Sequence, residues 1–323
     1  MKTQIMLDQK LSNLGKVLKK QKHVIIITDT TVKRLYGKRF PKADVIVIKE
    51  GEDIKDMGTV YYIFKKMLGL GADRESFIVG IGGGIVCDIA GFVASTYMRG
   101  LRFGFVPTTL LAQVDASLGG KNGVNFEHYK NIVGTISQSE FVYYDLSLLK
   151  TLPEKELKSG LAEAVKHSII SGKSITKRPI KDIVRESIKT KLDIVKDDVS
   201  DRHKRRVLNL GHTLGHAIEA ATKGKVSHGS AVSIGICFSA RFSYCLGVLK
   251  KKEMDQIINM IISFGLPTEL PKGVSKAKIL SAIKKDKKKG QKQIEFVLIK
   301  DIGKVILKKL DIKIIGEAVN ALC

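Results

Sequence analysis

The feature that most constrains this chain is an alternation in its first half, where short β-branched runs are separated by longer amphipathic stretches. His23-Val-Ile-Ile-Ile-Thr28 and Asp44-Val-Ile-Val-Ile48 read as buried strands, residues 57–68 as a helix, and Ser76-Phe-Ile-Val-Gly-Ile81 as a third strand running into glycines. Such alternation predicts a parallel sheet with crossover helices, extended by residues 101–106 and 140–144. From Thr151 the period changes. Thr151-x-x-Glu154 reads as a capping box with Pro153 in the first turn, and Leu157, Leu161, Ala164 and Val165 follow at helical spacing. Amphipathic stretches at 183–199, 207–221, 231–246 and 254–264 predict an all-helical second domain, with residues 294–298 and 304–307 as a late strand pair. A length of 323 residues suits two domains, divided as 1–152 and 153–323.

Charge narrows the partners. The 56 Lys and Arg outnumber the 32 Asp and Glu, a formal +24 that attracts nucleic acid, anionic lipid and small acidic substrates alike. The densest run, residues 284–289, has no interleaved aromatics for base stacking, so no nucleic-acid partner is expected. No apolar run approaches the roughly 18 residues of a spanning helix and the first ten residues lack a hydrophobic signal core, which predicts a cytoplasmic protein with no membrane partner. Cys87, Cys237, Cys245 and Cys323 show no C-x-x-C spacing and read as reduced thiols.

Two motifs carry chemistry. Gly80-Ile-Gly82-Gly83-Gly84 ends a strand and opens a helix, where backbone N–H groups and the helix dipole favour a phosphate such as a dinucleotide pyrophosphate. It fits neither G-x-G-x-x-G nor the P-loop, so a turn that merely requires glycine remains an equal reading. In Gly211-His212-Thr-Leu-Gly215-His216, two histidines share one helical face, and spacing alone makes them a metal-ligand pair. Thr213 in place of glutamate removes the H-E-x-x-H protease reading. His228 and Glu163 could complete a Glu plus bis-imidazole set. His23, His128 and His203 are expected to be structural.

Together Gly82-Gly-Gly-x-x-x-Asp88, Tyr97-x-Arg99-Gly, Val106-Pro-Thr-Thr-Leu-Leu-Ala-Gln-Val-Asp115, Gly119-Gly-Lys121, Lys130-Asn131, Ser159-Gly-Leu-Ala-Glu163-x-x-Lys166 and Asn209-Leu-Gly-His-Thr-Leu-Gly-His-Ala-Ile-Glu219 resemble the 3-dehydroquinate synthase family of sugar phosphate cyclases. The resemblance implies a Rossmann-like α/β N-terminal domain holding NAD, an all-α C-terminal domain holding zinc or cobalt, an active site between them, and a homodimer. It implies Glu163, His212 and His228 as metal ligands, displacing His216 to a substrate role. Asp29, Glu52, Lys55, Gly83, Gly84, Asp88, Thr108, Thr109, Asp115, Lys121 and Lys130 would meet NAD, with Glu52 at ribose hydroxyls. Arg99, Lys121, Lys130, Asn131, Lys166, Lys191, Arg205, Asn209, His216 and Lys287 would meet an anionic sugar phosphate, 3-deoxy-D-arabino-heptulosonate 7-phosphate, converted to 3-dehydroquinate and phosphate.

The pattern departs from the family at Cys87 (usually Gly), Asn122 (Thr or Ser), Phe126-Glu127 (His-Pro) and Ser230 (Glu), and is short before the first βα unit and between 171 and 188. An acidic residue two positions after His228 would orient the metal's surroundings, so Ser230 is the departure expected to matter most. The rival readings are another sugar phosphate cyclase, such as one forming 2-deoxy-scyllo-inosose, an NAD polyol dehydrogenase of glycerol dehydrogenase type, and a basic nucleic-acid-binding protein on an inactive scaffold.

Overall fold

The computed structural model describes residues 3–127, 129–198, 201, 203–285 and 293–322. The chain divides into two compact units, Met1–Pro153 and Glu154–Cys323.

Unit 1 begins with β1 (Gln4–Met6) and α1 (Leu14–Leu18), then alternates β2 (His23–Asp29), α2 (Thr30–Tyr36), β3 (Asp44–Ile48), α3 (Met57–Gly69), β4 (Ser76–Gly82), α4 (Gly84–Thr96) and β5 (Arg102–Pro107). A hairpin, β6 (Lys121–Phe126) and β7 (Tyr129–Ile136), precedes β8 (Phe141–Tyr143). Six strands form one sheet in the order β1-β8-β5-β4-β2-β3, and every pairing in it is parallel. The alternation of β-branched residues explains why both faces are covered. Ile26, Phe77, Val79 and Ile81 join Leu11, Leu14, Val32 and Tyr36 in one core. Ile25, Ile27 and Ile78 point oppositely and are fully buried. On that second face Gly80 lets α4 approach closely, since a Cβ there would stand 3.0 Å from the Ala90 Cβ.

The short β1 and the β6–β7 hairpin were not legible. β1 has three residues and pairs only through β8. The hairpin forms its own two-stranded sheet packed on α4, where a Cβ on Gly91 would lie 2.0 Å from Asn122 Oδ1. Asn122 is built into this contact and donates its amide to the carbonyls of Gly120 and Ser137. The capping box expected at Thr151 does not form. Thr151 closes a 3₁₀ turn over Leu146–Thr151, its hydroxyl bonded to the Leu148 carbonyl and paired with Tyr36 Oη, and the next helix starts at Glu154.

Unit 2 contains α5 (Glu154–Ser171), α6 (Ile180–Asp197), α7 (His212–Thr222), α8 (His228–Cys245), α9 (Lys251–Ser263), α10 (Lys276–Lys285), the antiparallel hairpin β9 (Gln293–Asp301) and β10 (Lys304–Asp311), and α11 (Ile312–Leu322). It is therefore mostly helical rather than all-helical, and the late strand pair is longer than its apolar runs suggest. The hairpin separates two cores. Val297 and Ile299 pack with α5, α6 and α9 residues, while Phe296 and Leu298 turn to the other side with Leu214, Ile279 and Ile315. Helix α8 sends Val232 and Ile236 to the first core and Ile234, Phe238 and Phe242 to the second, and so is apolar nearly all round. The single helix expected over 207–221 is broken: a 3₁₀ turn (Lys204–Asn209) ends before Gly211, whose φ of +79° admits glycine readily, and α7 starts at His212. Among the described residues no helix is long and apolar enough to cross a membrane.

Candidate functional site

In unit 1 the sheet order reverses at β2, whose neighbours are β3 on one side and β4 on the other. Open parallel sheets bind ligands at such a switch point, beyond the carboxyl ends of the strands. Here β2 ends at Asp29 and β4 at Gly82. Gly83 precedes the first turn of α4; Cβ atoms on Gly83 and Gly84 would lie 3.1 Å from Thr109 Cγ2 and 3.2 Å from the Ala116 Cβ, so the backbone is exposed only because side chains are missing. The next loop is tied on by the Thr108 N–H, which donates to the Gly82 carbonyl at 2.9 Å, and leads to a π-helical turn, Ala112–Ala116, that carries Asp115. Asp29 has a second duty: its Oδ1 caps α2 by accepting the Val32 N–H at 2.7 Å. Burial pushes its carboxyl above the usual range against the pull of that bond.

Cys87, on the buried side of α4, is fully enclosed and its burial pushes the thiol up, so the departure from glycine is absorbed by packing. Lys55 is buried, and its Nζ reaches Asp88 Oδ2 and Asn131 Oδ1, each at 2.5 Å. Glu52 lies on the 3₁₀ turn just before Lys55, its Oε1 accepting from Asn125 Nδ2 at 2.9 Å. Lys121, Lys130 and Asn131 are exposed on the hairpin. Arg99 is exposed in a run of left-handed residues, Met98, Arg99 and Gly100, with φ of +48°, +69° and +120°.

Unit 2 holds a tighter cluster. Glu163 on α5 is completely buried, and the Lys166 ammonium, one turn on and 2% exposed, pairs with its Oε2. Glu163 Oε1 lies 3.4 Å from Nε2 of both His212 and His228. Each ring has its other nitrogen engaged. His212 Nδ1 donates to the Leu210 carbonyl at 3.1 Å, which fixes the tautomer that leaves the Nε2 lone pair facing Glu163. Burial, then Lys166, lowers this imidazole to about 3. His228 Nδ1 stands 3.3 Å from Glu219 Oε2. Burial opposes charge on His228, but the hydrogen bonds to Glu163 and Glu219 outweigh it and push the ring up to about 10.

One ligand atom from each of Glu163, His212 and His228 lies within 4.8 Å of the others. The Glu163 oxygen facing the neutral His212 lone pair is unfavourable unless a cation stands between them, and the Glu plus two His donor set suits zinc or cobalt. The residues present therefore fit a divalent metal. His216 does not join this group; its ring, 5.2 Å centroid to centroid from His212, belongs to an exposed residue. The structure thus groups His212 with His228, which arrives on a different helix, and not with the His216 that spacing alone paired with it. Lys191 and Arg205 are buried, Asn209 is exposed, and Asp198 Oδ2 accepts the Arg205 N–H at 3.1 Å. Lys287 and His128 lie outside the described residues.

Glycines set the spacing of the cluster. A Cβ on Gly229 would lie 2.4 Å from the Ser159 Cα, and one on Gly235 would lie 2.0 Å from the Gly211 carbonyl oxygen. Backbone thus meets backbone where α8 crosses α5 and the start of α7, which brings His228 and His212 onto Glu163. Sequence reading missed Glu219. The residue expected to orient a ligand from position 230 is Ser there, and its N–H instead meets the Ser227 cap of α8 at 3.4 Å. A carboxylate on α7, nine residues before His228, supplies the contact, and no spacing rule links it to the ring.

The parallel sheet with its glycine turn, followed by a mostly helical unit, gives the chain the fold of a solved 2-deoxy-scyllo-inosose synthase. The structure of 2-deoxy-scyllo-inosose synthase complexed with carbaglucose-6-phosphate, NAD+ and Co2+ superimposes with a TM-score of 0.89 at 24% identity, over 99% of this chain and 96% of that one. Within that fold, the chain belongs to the 3-dehydroquinate synthase family: residues 45–159 match the family's "3-dehydroquinate synthase N-terminal" profile and residues 160–289 its "3-dehydroquinate synthase C-terminal" profile. The 3-dehydroquinate synthase of Pyrococcus furiosus is 43% identical over 316 residues, 92% of each chain. That of Pyrococcus abyssi is 41% identical, over 90% of this chain and 88% of its own.

Proposed function

We propose that the chain catalyses the 3-dehydroquinate synthase reaction, in which 3-deoxy-D-arabino-heptulosonate 7-phosphate gives 3-dehydroquinate and inorganic phosphate without net redox change. The observation that carries this is Glu163, fully buried and met by the Nε2 atoms of His212 and His228, in a chain of this family. Unit 1 holds NAD at the switch point, with Gly83 and Gly84 at the pyrophosphate, Glu52 at ribose hydroxyls, and Asp29, Lys55, Asp88, Thr108, Thr109 and Asp115 around it. Unit 2 holds the divalent ion on Glu163, His212 and His228. When bound, NAD supplies reversible hydride acceptance and the ion supplies Lewis acidity toward substrate hydroxyls.

The chain's own residues bind and orient the substrate. Its phosphate and carboxylate are anions, which Arg and Lys donors recognise by charge-assisted hydrogen bonds. Arg99, Lys121, Lys130 and Asn131 on unit 1 and Lys166, Lys191, Arg205, Asn209 and Lys287 on unit 2 serve this role. His216, exposed one turn beyond His212, moves protons at its ring nitrogens for substrate hydroxyls. A homodimer and a cytoplasmic setting belong to the same reading.

The test is release of inorganic phosphate from this substrate by NAD-supplied protein, with and without a chelator, with the product checked for 3-dehydroquinate. Chelator-sensitive release without NADH accumulation supports the reading. NADH accumulation would favour a dehydrogenase, and no release with zinc or cobalt supplied would refute the assignment.

A further inference from the structure

Asn125 has no role in any of the assignments above, yet it touches three residues that do. It lies near the end of β6, where pairing with β7 loses register: Val124 faces Val133, but Phe126 faces Tyr129. The surplus residues on β7 make a bulge, a device that re-aims side chains beside functional sites. Asn131 sits inside it with a left-handed φ of +53°. A peptide N–H turned out of its ladder needs another acceptor, and Asn125 Oδ1 accepts the Asn131 N–H at 2.9 Å. The other end of the same amide donates to Glu52 Oε1 at 2.9 Å, and the Asn125 backbone N–H donates to the Lys55 carbonyl at 2.7 Å. Lys55 Nζ closes the circuit by reaching Asn131 Oδ1 at 2.5 Å.

The two ends of the neutral Asn125 amide accept from the backbone N–H and donate to the carboxylate at once, a pairing that neither a carboxylate nor a methyl group reproduces. Aspartate keeps the acceptor but sets a like charge against Glu52, and alanine supplies neither function. We propose that Asn125 is a positioning residue that ties the dinucleotide side of unit 1, Glu52 and Lys55, to the bulge that presents Asn131 to substrate. This rests on the reading that Glu52 and Lys55 meet NAD and Asn131 meets the sugar phosphate.

The test titrates NAD calorimetrically into the full chain, comparing wild type with Asn125→Asp and Asn125→Ala, and then measures the KM for 3-deoxy-D-arabino-heptulosonate 7-phosphate at saturating NAD. Asn125→Asp is expected to raise the NAD Kd at least about tenfold, since a charge-assisted donor becomes a repulsion, while KM stays near the wild-type value. Asn125→Ala is expected to raise both. If the two constants move in parallel in both variants with a lowered Tm, Asn125 is merely structural and the proposal is overturned. Tight NAD binding by wild type and by both folded variants overturns the proposal alone. Failure of wild type to bind NAD overturns the functional reading and the proposal with it. Should Asn125→Ala fail to fold, Asn125→Asp, which keeps the Asn131 bond, carries the comparison.

Discussion

Replacing Gly235 by alanine adds one methyl group in the middle of α8, outside the proposed ligand set, and it should nevertheless disable the metal centre. The new Cβ would stand 2.0 Å from the Gly211 carbonyl oxygen, 2.8 Å from its carbon and 3.1 Å from its Cα. Close carbon–oxygen contacts settle near about 3.3 Å, so the backbones must separate by roughly 1.3 Å, and no flexible side chain lies between them to yield. Gly211 is followed directly by His212, while metal–ligand distances tolerate only about 0.2 Å. Overpacking of this kind costs about 1–3 kcal/mol, or roughly 2–12 °C in Tm for a unit of this size, partly offset by the better helix propensity of alanine, about 1 kcal/mol. Cobalt titration followed by its visible absorption should show affinity reduced at least about tenfold. Gly316→Ala is the control, because its Cβ would meet only Leu280 Cδ2 at an ordinary 3.6 Å. Wild-type cobalt affinity and Tm in Gly235→Ala would refute the idea that this contact places His212.

Three further outcomes follow from contacts already described. Glu219→Ala should weaken metal binding by about 10–100-fold, the usual cost of losing a ligand-orienting carboxylate, and unchanged affinity in a chelator competition would remove Glu219 from that role. Lys55→Met should lower stability by about 1.5–3 kcal/mol through the charged hydrogen bonds to Asp88 and Asn131 and should weaken NAD; denaturant titration that matches wild type would contradict it. Thiol labelling should reach exposed Cys245 first, because burial pushes Cys87 up, and pushes Cys237 up to about 12, leaving almost no thiolate at neutral pH. Mass mapping of labelled Cys87 peptides from folded protein would refute it.

The parallel sheet was legible because a strand buried on both faces must be written in β-branched residues, as in residues 23–28 and 44–48, and each boundary fell within a residue or two of its run. The β6–β7 hairpin was not, since β6 buries Asn122, Gly123 and Val124 in a row rather than in alternation and β7 is exposed at most positions. The break before α7 hides in one glycine inside an otherwise helical pattern. At the candidate metal centre, spacing could find only partners on the same helix, so it joined His212 to His216. His228 and Glu219 meet through the crossing of α7 and α8, a relation that local sequence does not contain. The family resemblance implied Glu163, His212 and His228, a grouping that periodicity could not offer.

The left-handed run at Met98, Arg99 and Gly100 has a consequence for the order in which unit 1 assembles. Each of its two non-glycine residues costs on the order of 1–3 kcal/mol in that conformation, so the free chain would abandon it. Its ends are held by Tyr97, whose hydroxyl donates to the Ala72 carbonyl at 3.4 Å, and by Leu101, whose N–H donates to the Ala94 carbonyl at 2.7 Å. Those anchors exist only once α4 and its neighbours have packed. Arg99 therefore depends on that packing for its place, and amide exchange at residues 98–100 is expected to quicken when the sheet beneath is disturbed.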